Sequence, residues 1–252
     1  METLNYHTKS GDKRIQQAQS ELGKSAWPEF MQHDSLVEKH WPGLFSDFLD
    51  FQFAAFSEQK IVGVGNAVPI HWDRELNNLP KGGLDWAMAR AVEDYRIGLS
   101  PNLLVGVQIL INPDLRNRGL SYEFIDLMKR IARTYGIEHS ALPVRPTLKH
   151  EYPLVPMEEY IRWTNDKGDP FDPWIRVHNK AGGKITSVCS ESMTIQGKVN
   201  EWEDWTGLSF QSSGLYTVKE ALSPVCIDLE EDLGEYIEPN VWMIHSSQSS
   251  NV

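Results

Sequence analysis

The chain has 252 residues, with 24 basic against 35 acidic side chains and a formal net charge of −11 at pH 7. Binding to nucleic acid or to an anionic membrane surface needs a basic face, so this balance argues against both partners. No apolar run reaches the roughly 18 residues of a membrane-spanning helix. The polar residues 1–14 lack the apolar segment of a secretory signal, so a cytoplasmic location is expected.

The N-terminal part predicts an extension of short helices ahead of a sheet. Breaks at Trp27-Pro28 and Trp41-Pro42 divide the first forty residues into short helical pieces. Residues 48–56 and 60–72 then predict two strands joined by a polar turn.

A helix is predicted at residues 84–95, next in the chain. Its apolar side chains at helical spacing are Trp86, Ala89, Val92 and Tyr95. This spacing predicts that they share one side of the helix.

The central feature of the sequence is a strand, a short turn and a long helix. An apolar run predicts a strand at Leu103–Ile111, and a helix is predicted from near Ser121 to Gly136. Its apolar face is formed by Leu120, Phe124, Leu127 and Ile131, which recur at helical spacing.

The turn before this helix has the composition of an anion site. It contains Arg116, Arg118 and Gly119. Unpaired N–H groups and the positive end of the helix dipole attract phosphate, and glycine lets the backbone approach it. A plain structural loop is the alternative interpretation of such a turn.

The wider spacing resembles the pyrophosphate motif of the GNAT acyltransferase superfamily, V-x-P-x-x-(Q/R)-x-x-G-x-(G/A). The matching residues are Ile111-x-Pro113-x-x-Arg116-x-x-Gly119-x-Ser121, with Ser121 in place of Gly or Ala. The resemblance implies an acyl-CoA co-substrate. Backbone groups of Ile109 and Ile111 would pair with its pantetheine arm. The amides of Arg116, Asn117, Arg118, Gly119, Leu120 and Ser121 would hold its pyrophosphate.

A further strand at residues 138–144 completes a strand–helix–strand unit, which predicts two parallel strands with a right-handed crossover. In GNAT folds, these two strands splay apart and the pantetheine arm lies between them. The predicted fold class is therefore α/β: one GNAT-like domain over residues 1–245, with a mixed twisted sheet and a helical N-terminal extension.

A second motif lies in a short helix that begins after Asp172-Pro173 and ends at Gly182-Gly183. It is similar to a later GNAT helix, and the alignment places His178 where the family often has a tyrosine that protonates the CoA thiolate. An unperturbed imidazole, with a pKa of about 6.5, suits acid–base work. The alternative is a histidine that only hydrogen-bonds between helix and sheet.

Other catalytic candidates lack a motif. Glu138, His139 and Gln108 lie on or near the splayed strands, where a structural role is the simpler interpretation. Thr147 follows the 138–144 strand, where the gap between the two splayed strands is expected to open. The alternative interpretation is an exposed loop threonine.

His178 and Thr147 together also resemble the GNAT-like loading domains of some polyketide synthases. Those domains decarboxylate malonyl-CoA, and S-acyl transfer to a carrier protein has been assigned to them. By this resemblance, both side chains would polarise the thioester carbonyl as an enolate develops.

The C-terminal third predicts a strand at residues 184–199, a short acidic aromatic turn or helix at 200–207, and a final hairpin of residues 223–229 and 236–245. Trp202 and Trp205 are expected to pack on the sheet. Residues 246–252 predict a disordered tail.

The sequence thus favours acyl transfer from acetyl-CoA or another acyl-CoA to a small-molecule or carrier-protein acceptor. Decarboxylation of a malonyl-type thioester and a non-catalytic CoA-binding module are the alternatives. No zinc spacing or calcium loop is present, so no metal is expected. A homodimer remains an open arrangement.

Overall fold

The computed structural model describes residues 5–7, 13–57, 60–116 and 118–247. Its strands are β1 (Asn5–His7), β2 (Gln52–Ser57), β3 (Lys60–Ile70), β4 (Leu103–Ile111), β5 (His139–Val144), β6 (Lys184–Gly197), β7 (Gly214–Tyr216), β8 (Val225–Asp228) and β9 (Leu233–Ser246). Its α-helices are α1 (Lys13–Ala26), α2 (Ser35–His40), α3 (Gly83–Ile97), α4 (Leu120–Thr134), α5 (Met157–Tyr160), α6 (Pro173–Lys180) and α7 (Val199–Thr206).

The strands form one mixed sheet in the order β1-β2-β3-β4-β5-β9-β8-β7, and β6 pairs with β9 from outside this path. β4 and β5 are parallel, whereas the other pairs are antiparallel. The α/β class, the mixed sheet, the helical extension and the C-terminal hairpin of β8 and β9 are confirmed.

Helix α4 follows β4 and packs on the centre of the sheet. It begins at Leu120 and ends before Gly136, which has a φ of +69°. Phe124 and Met128 are fully buried with Gly106 and Leu142, and a Cβ on Gly106 would lie 2.7 Å from the Leu142 side chain. The close packing of α4 fixes where β4 delivers the loop between them.

Several predicted strand limits are wrong: β6 ends at Gly197 instead of residue 199, and β9 begins at Leu233 instead of residue 236. Two further differences have local reasons. β2 begins at Gln52 because Leu49–Phe51 forms a turn of 3-10 helix. β3 ends at Ile70, because the backbone N–H and C=O of Trp72 bond to the Asn102 side chain at 2.7 and 2.8 Å instead of to a strand.

Helix α3 buries a face that the apolar spacing did not indicate. This face has Ala87, Met88 and Ala91 together with the carboxylates of Asp85 and Asp94. The two acidic side chains interrupt its apolar pattern, so the sequence did not predict it.

The chain end differs from the predicted tail at its first two residues. β9 runs through Ser246, and Ser247 is fully buried, with its carbonyl accepting a 2.8 Å bond from Arg133. The remaining residues of the predicted tail, 248–252, lie outside the described part of the chain.

Candidate functional site

The parallel strands β4 and β5 separate after a short common stretch. Residues 103–105 pair with residues 139–141, and beyond them β5 continues with β9 while β4 stays with β3. The register between β3 and β4 shifts so that Val107 is an extra residue on β4. Such a β-bulge bends a strand. The predicted splay is confirmed.

A cavity of about 440 Å³ lies in the opening between the two strands, and it is called the first cavity below. Its walls are β4, the end of β5, helix α6, and the C-terminal end of α1. The predicted site residues that line it are Ile109, Ile111, Arg116, Ser121, Thr147 and His178.

The loop at one end of this cavity keeps its donors available. Gly119 takes a φ of +78° at the start of α4, and a Cβ there would meet nothing within 4 Å. In the described part of the chain, no residue outside α4 accepts a bond from the N–H groups of Gly119, Leu120 or Ser121. Arg118 is exposed, and Asn117 lies outside the described residues. The open amides and two arginines suit a bound diphosphate.

His178 lies on the wall contributed by α6. Asp172 caps this helix by accepting bonds from Trp174 N and Ile175 N at 2.9 and 3.1 Å. The His178 ring is fully buried, and its Nδ1 lies 2.9 Å from Nε2 of His245.

Burial changes the proton affinity of this histidine pair. Burial, followed by the neighbouring His245, holds the pKa of His178 well below its ordinary value. Burial is also the main cause that lowers the pKa of His245 to about 4. Both rings are therefore neutral at pH 7. They also stay neutral at lower pH values, where the ordinary imidazole assumed from the sequence would be charged. His178 Nε2 has no hydrogen-bond partner among the described residues.

Thr147 lies on the exposed loop after β5, where its backbone carbonyl is 2.9 Å from His150 Nδ1. Glu138 and His139 lie at the start of β5 and do not line the first cavity. Gln108 lines it from β4.

An ion pair missed from the sequence forms part of the same wall. Arg145 Nε lies 3.0 Å from a carboxylate oxygen of Glu238, which is fully buried. Tyr236 Oη and Asn240 Nδ2 donate to the same carboxylate at 3.0 and 3.1 Å. The charge of Glu238 is thus matched within the protein, which suits a structural role.

A second cavity, of about 540 Å³, lies under α1 and α2. Five residues line both cavities, namely Trp27, Leu84, Val107, Gln108 and Met193. The two cavities therefore meet at the bulge of β4. Helix α1 contributes to both, through Gln19 to the second cavity and through Leu22 to the first.

A chain of buried amides holds the shared wall. Trp27 Nε1 donates to Gln108 Oε1 at 3.1 Å, Gln108 Nε2 to Asn66 Oδ1 at 2.9 Å, and Asn66 Nδ2 to Gln52 Oε1 at 2.8 Å. Gln108 therefore has the structural role that the sequence favoured, and it also faces both cavities.

The second cavity is acidic. Asp34 and Glu38 line it beside the amides of Gln16, Gln19 and Gln32. Among the described residues, no Lys or Arg lines it. This polarity is opposite to that of the loop that begins α4, so the two cavities favour ligands of opposite charge.

Asp34 is joined to a second buried carboxyl group. One of its oxygens accepts the N–H groups of Leu36 and Val37, which caps α2. Asp34 and Asp85 lie close enough for their carboxyl groups to interact, and Asp85 accepts Thr194 N at 3.0 Å. The remaining oxygens, Asp34 Oδ2 and Asp85 Oδ1, are buried and have no donor among the described residues.

The two carboxyl groups hold a proton at neutral pH. Burial, and then the charge of Asp34, raises the pKa of Asp85 to about 8, and burial also raises the pKa of Asp34. One proton shared between the two carboxyl groups supplies the donor that Asp34 Oδ2 and Asp85 Oδ1 otherwise lack. The sequence signal for this pair is slight: Asp34 precedes a short helix as an N-cap, and Asp85 interrupts an apolar face.

Neither a metal centre nor a membrane span is found in the described ranges. No three His, Cys, Asp or Glu side chains of these residues come together as metal ligands. No helix within them is long and apolar enough to cross a bilayer.

No family model matches the chain, whereas a curated protein and solved structures are similar to it. The arginine N-acetyltransferase avaD of Aspergillus versicolor is 32% identical over 249 residues, which cover 88% of this chain and 85% of that protein. The loading GNATL domain of CurA from Lyngbya majuscula is 20% identical, with a TM-score of 0.60 and 98% of both chains covered.

The GphF GNAT-like decarboxylase, in complex with isobutyryl-CoA, is 16% identical, with a TM-score of 0.55. The match covers 98% of this chain and 100% of that one. At these identities, the two structural matches establish a common fold.

Proposed function

Because the chain belongs to the GNAT superfamily of acyltransferases, we propose that it transfers an acetyl group from acetyl-CoA to a cationic amine, arginine or a close relative of it. The enzyme is an acyltransferase of the GNAT N-acetyltransferase type. The co-substrate, the acceptor and the residue roles below are parts of the proposal.

The first cavity suits acetyl-CoA. Arg116 and the open amides at the start of α4 would bind the diphosphate, since both supply directed donors to an anion. The pantetheine arm would extend along Ile109 and Ile111 towards the bulge at Val107. The unpaired edge of β4 beyond residue 105 would offer its backbone groups to the arm.

The second cavity suits a cationic acceptor. Asp34 and Glu38 supply negative charge, and Trp27, Trp41 and Phe45 supply aromatic faces in the same lining. A guanidinium group binds to carboxylates through paired N–H donors and stacks on aromatic rings. An arginine-acetylating relative agrees with this chemistry.

The reaction would be a direct transfer within a complex of both substrates. The neutral amine nitrogen attacks the thioester carbonyl carbon, a C–N bond forms, the C–S bond breaks, and a proton passes from nitrogen to sulfur. Positioning of the two reactants at the shared wall is the main device. His178 would contact the sulfur or the carbonyl oxygen through Nε2, with the tautomer fixed by His245.

The observation that carries this proposal is the meeting of two oppositely charged cavities at the β4 bulge. A thioester in one cavity and an amine in the other can come into contact only there. The five shared residues would surround the acyl group.

The experiment is thiol release from acetyl-CoA with arginine, agmatine, ornithine, lysine and citrulline as acceptors. We expect turnover with guanidino amines, weaker turnover with ornithine and lysine, and the weakest with citrulline, which is nearly isosteric with arginine but uncharged. Equal turnover of citrulline and arginine would contradict a cation-selective acceptor site.

Decarboxylation of a malonyl-type thioester is the second candidate. It is favoured by the presence of both His178 and Thr147 in the lining of the first cavity. Here the bond between the carboxylate and the α-carbon breaks, CO₂ leaves, and the enolate takes up a proton. Incubation with malonyl-CoA and no amine separates the two reactions, because only a decarboxylase then forms acetyl-CoA.

A further inference from the structure

The second cavity contains a buried polar atom without a partner. Gln19 lines this cavity from α1 and is only 6% exposed. Its Oε1 is buried and has no hydrogen-bond partner within the described ranges. A buried carbonyl oxygen without a donor is unfavourable, and it favours a ligand that brings N–H groups.

Asp34 faces the same cavity with a fixed geometry. Asp34 is 1% exposed, and one of its carboxylate oxygens accepts the two amides of α2. The other oxygen is buried without a donor among the described residues, and the carboxyl group interacts with that of Asp85. The carboxylate is thus held rigidly before any ligand binds, which reduces the ordering needed on binding.

We propose that Asp34 and Gln19 form a cation subsite in the second cavity that binds the guanidinium group of the acceptor, with Asp85 holding the Asp34 carboxylate in position. The inference rests on the proposed function for the identity of the acceptor. A guanidinium group carries five N–H donors and no acceptor, which matches a carboxylate beside a lone amide oxygen.

Two isosteric variants separate the role of Asp34 from that of Asp85. Asp34→Asn and Asp85→Asn carry the same net charge, and in each the new amide can donate to the remaining carboxylate. Asn is also a good N-cap, so α2 is kept in Asp34→Asn. In Asp85→Asn the charge stays on Asp34, at the cavity, whereas in Asp34→Asn it stays on Asp85, on α3.

The experiment is calorimetric binding of arginine and citrulline to the enzyme with CoA bound, alongside turnover with acetyl-CoA. We expect Asp34→Asn to weaken arginine binding at least tenfold more than Asp85→Asn does, since a direct contact with a charged group is lost. Citrulline binding should change equally in the two variants.

The contribution of Gln19 has its own control on the same helix. Gln19→Ala should weaken arginine binding about fivefold, the range for a neutral hydrogen bond. Gln17→Ala, an exposed position outside both cavities, should weaken it less than twofold. Thermal unfolding and CoA affinity check that all variants are folded.

The outcomes distinguish the subsite from the proposed reaction. Equal arginine affinity in Asp34→Asn and Asp85→Asn, or equal loss of arginine and citrulline binding in Asp34→Asn, overturns the subsite even if arginine is acetylated. Arginine binding that depends on Asp34, without any turnover of arginine, supports the subsite and overturns the proposed acceptor.

Discussion

The two cavities differ in how their residues are distributed along the chain. One whole wall of the first cavity is built by Gly106 to Ser121, a single strand, loop and helix start. Most of the second cavity is built by residues 16–45, which form several short helices, and Leu84, Val107, Gln108 and Met193 complete it. A continuous strand, loop and helix start can be recognised from spacing, whereas the side chains that several short helices turn towards a cavity depend on how those helices pack.

The cavities also differ in charge and burial. The loop at the start of α4, at one end of the first cavity, has exposed arginines, while the second cavity has a buried carboxyl pair. Exposed arginines act through charge that solvent screens, and a buried pair acts through fixed geometry. The effects of substitutions in one cavity should therefore be distinguishable from the effects of substitutions in the other.

His178→Ala should give the largest effect. If Nε2 of this residue contacts the reacting thioester, kcat should fall about 100-fold or more, the usual range for acid–base or hydrogen-bond assistance. CoA affinity should stay within about threefold, since the groups proposed to bind the diphosphate lie on the loop before α4 and at the start of that helix, and not on α6. Steady-state kinetics and CoA titration measure both. His71→Ala, which lines neither cavity, is the control.

Arg116→Glu should weaken CoA binding by about 100-fold, because it removes a charge-assisted contact to phosphate and adds a repulsive charge. Arginine binding in the second cavity should change little. Arg162→Glu makes the same charge change at an exposed position outside both cavities. Equal effects of the two substitutions would show that net charge matters and the loop does not.

Asp85→Asn should change how stability depends on pH. The raised pKa of Asp85 in the folded state, about 8, means that its contribution is fully present below the unfolded value near 4 and is lost as pH rises through 8. The carboxylates facing Asp85 are Asp34 and, from β9, Glu238.

The variant has no such proton to lose. We expect the variant to gain stability relative to the wild type as pH rises from 5 to 9, by at most about 4 kcal/mol, since each pKa unit is worth about 1.4 kcal/mol. Thermal unfolding across this range measures the difference. A constant difference at all pH values would contradict a protonated Asp85.

Glu38→Gln should give the smallest effect. Glu38 is exposed at the rim of the second cavity, so water and salt screen its attraction for a cation. Arginine binding should weaken two- to threefold, in the range for exposed pairs, and the loss should vanish in 0.5 M salt. Glu158→Gln, on α5 and outside both cavities, should have no effect at either salt concentration.

The sequence predicted the elements whose signals are local. β4 has the predicted limits, Leu103–Ile111, because its run of apolar residues matches a buried central strand. α4 begins within one residue of the expected position, since Gly119 marks its start. Arg116 and Ser121 could be placed beside the first cavity because the strand and the helix determine the position of the short loop between them.

The rest depends on contacts that spacing does not reveal. Asp85 belongs to the site because α3 places its acidic side chain in the interior, next to Asp34. Acidic side chains are usually exposed, so the sequence offered no reason to expect this. Gln19 faces a cavity only because α1 lies across β3 and β4. The neutral state of His178 follows from burial against His245, 67 positions away.

Helix α1 has a consequence for how the two substrates influence each other. It borders one cavity through Leu22 and Ala26 and the other through Gln16 and Gln19. A ligand that orders this helix reduces the conformational entropy that is lost when the second ligand binds. Thermodynamic linkage then requires reciprocity. The factor by which acetyl-CoA increases the affinity for the acceptor must equal the factor by which the acceptor increases the affinity for acetyl-CoA.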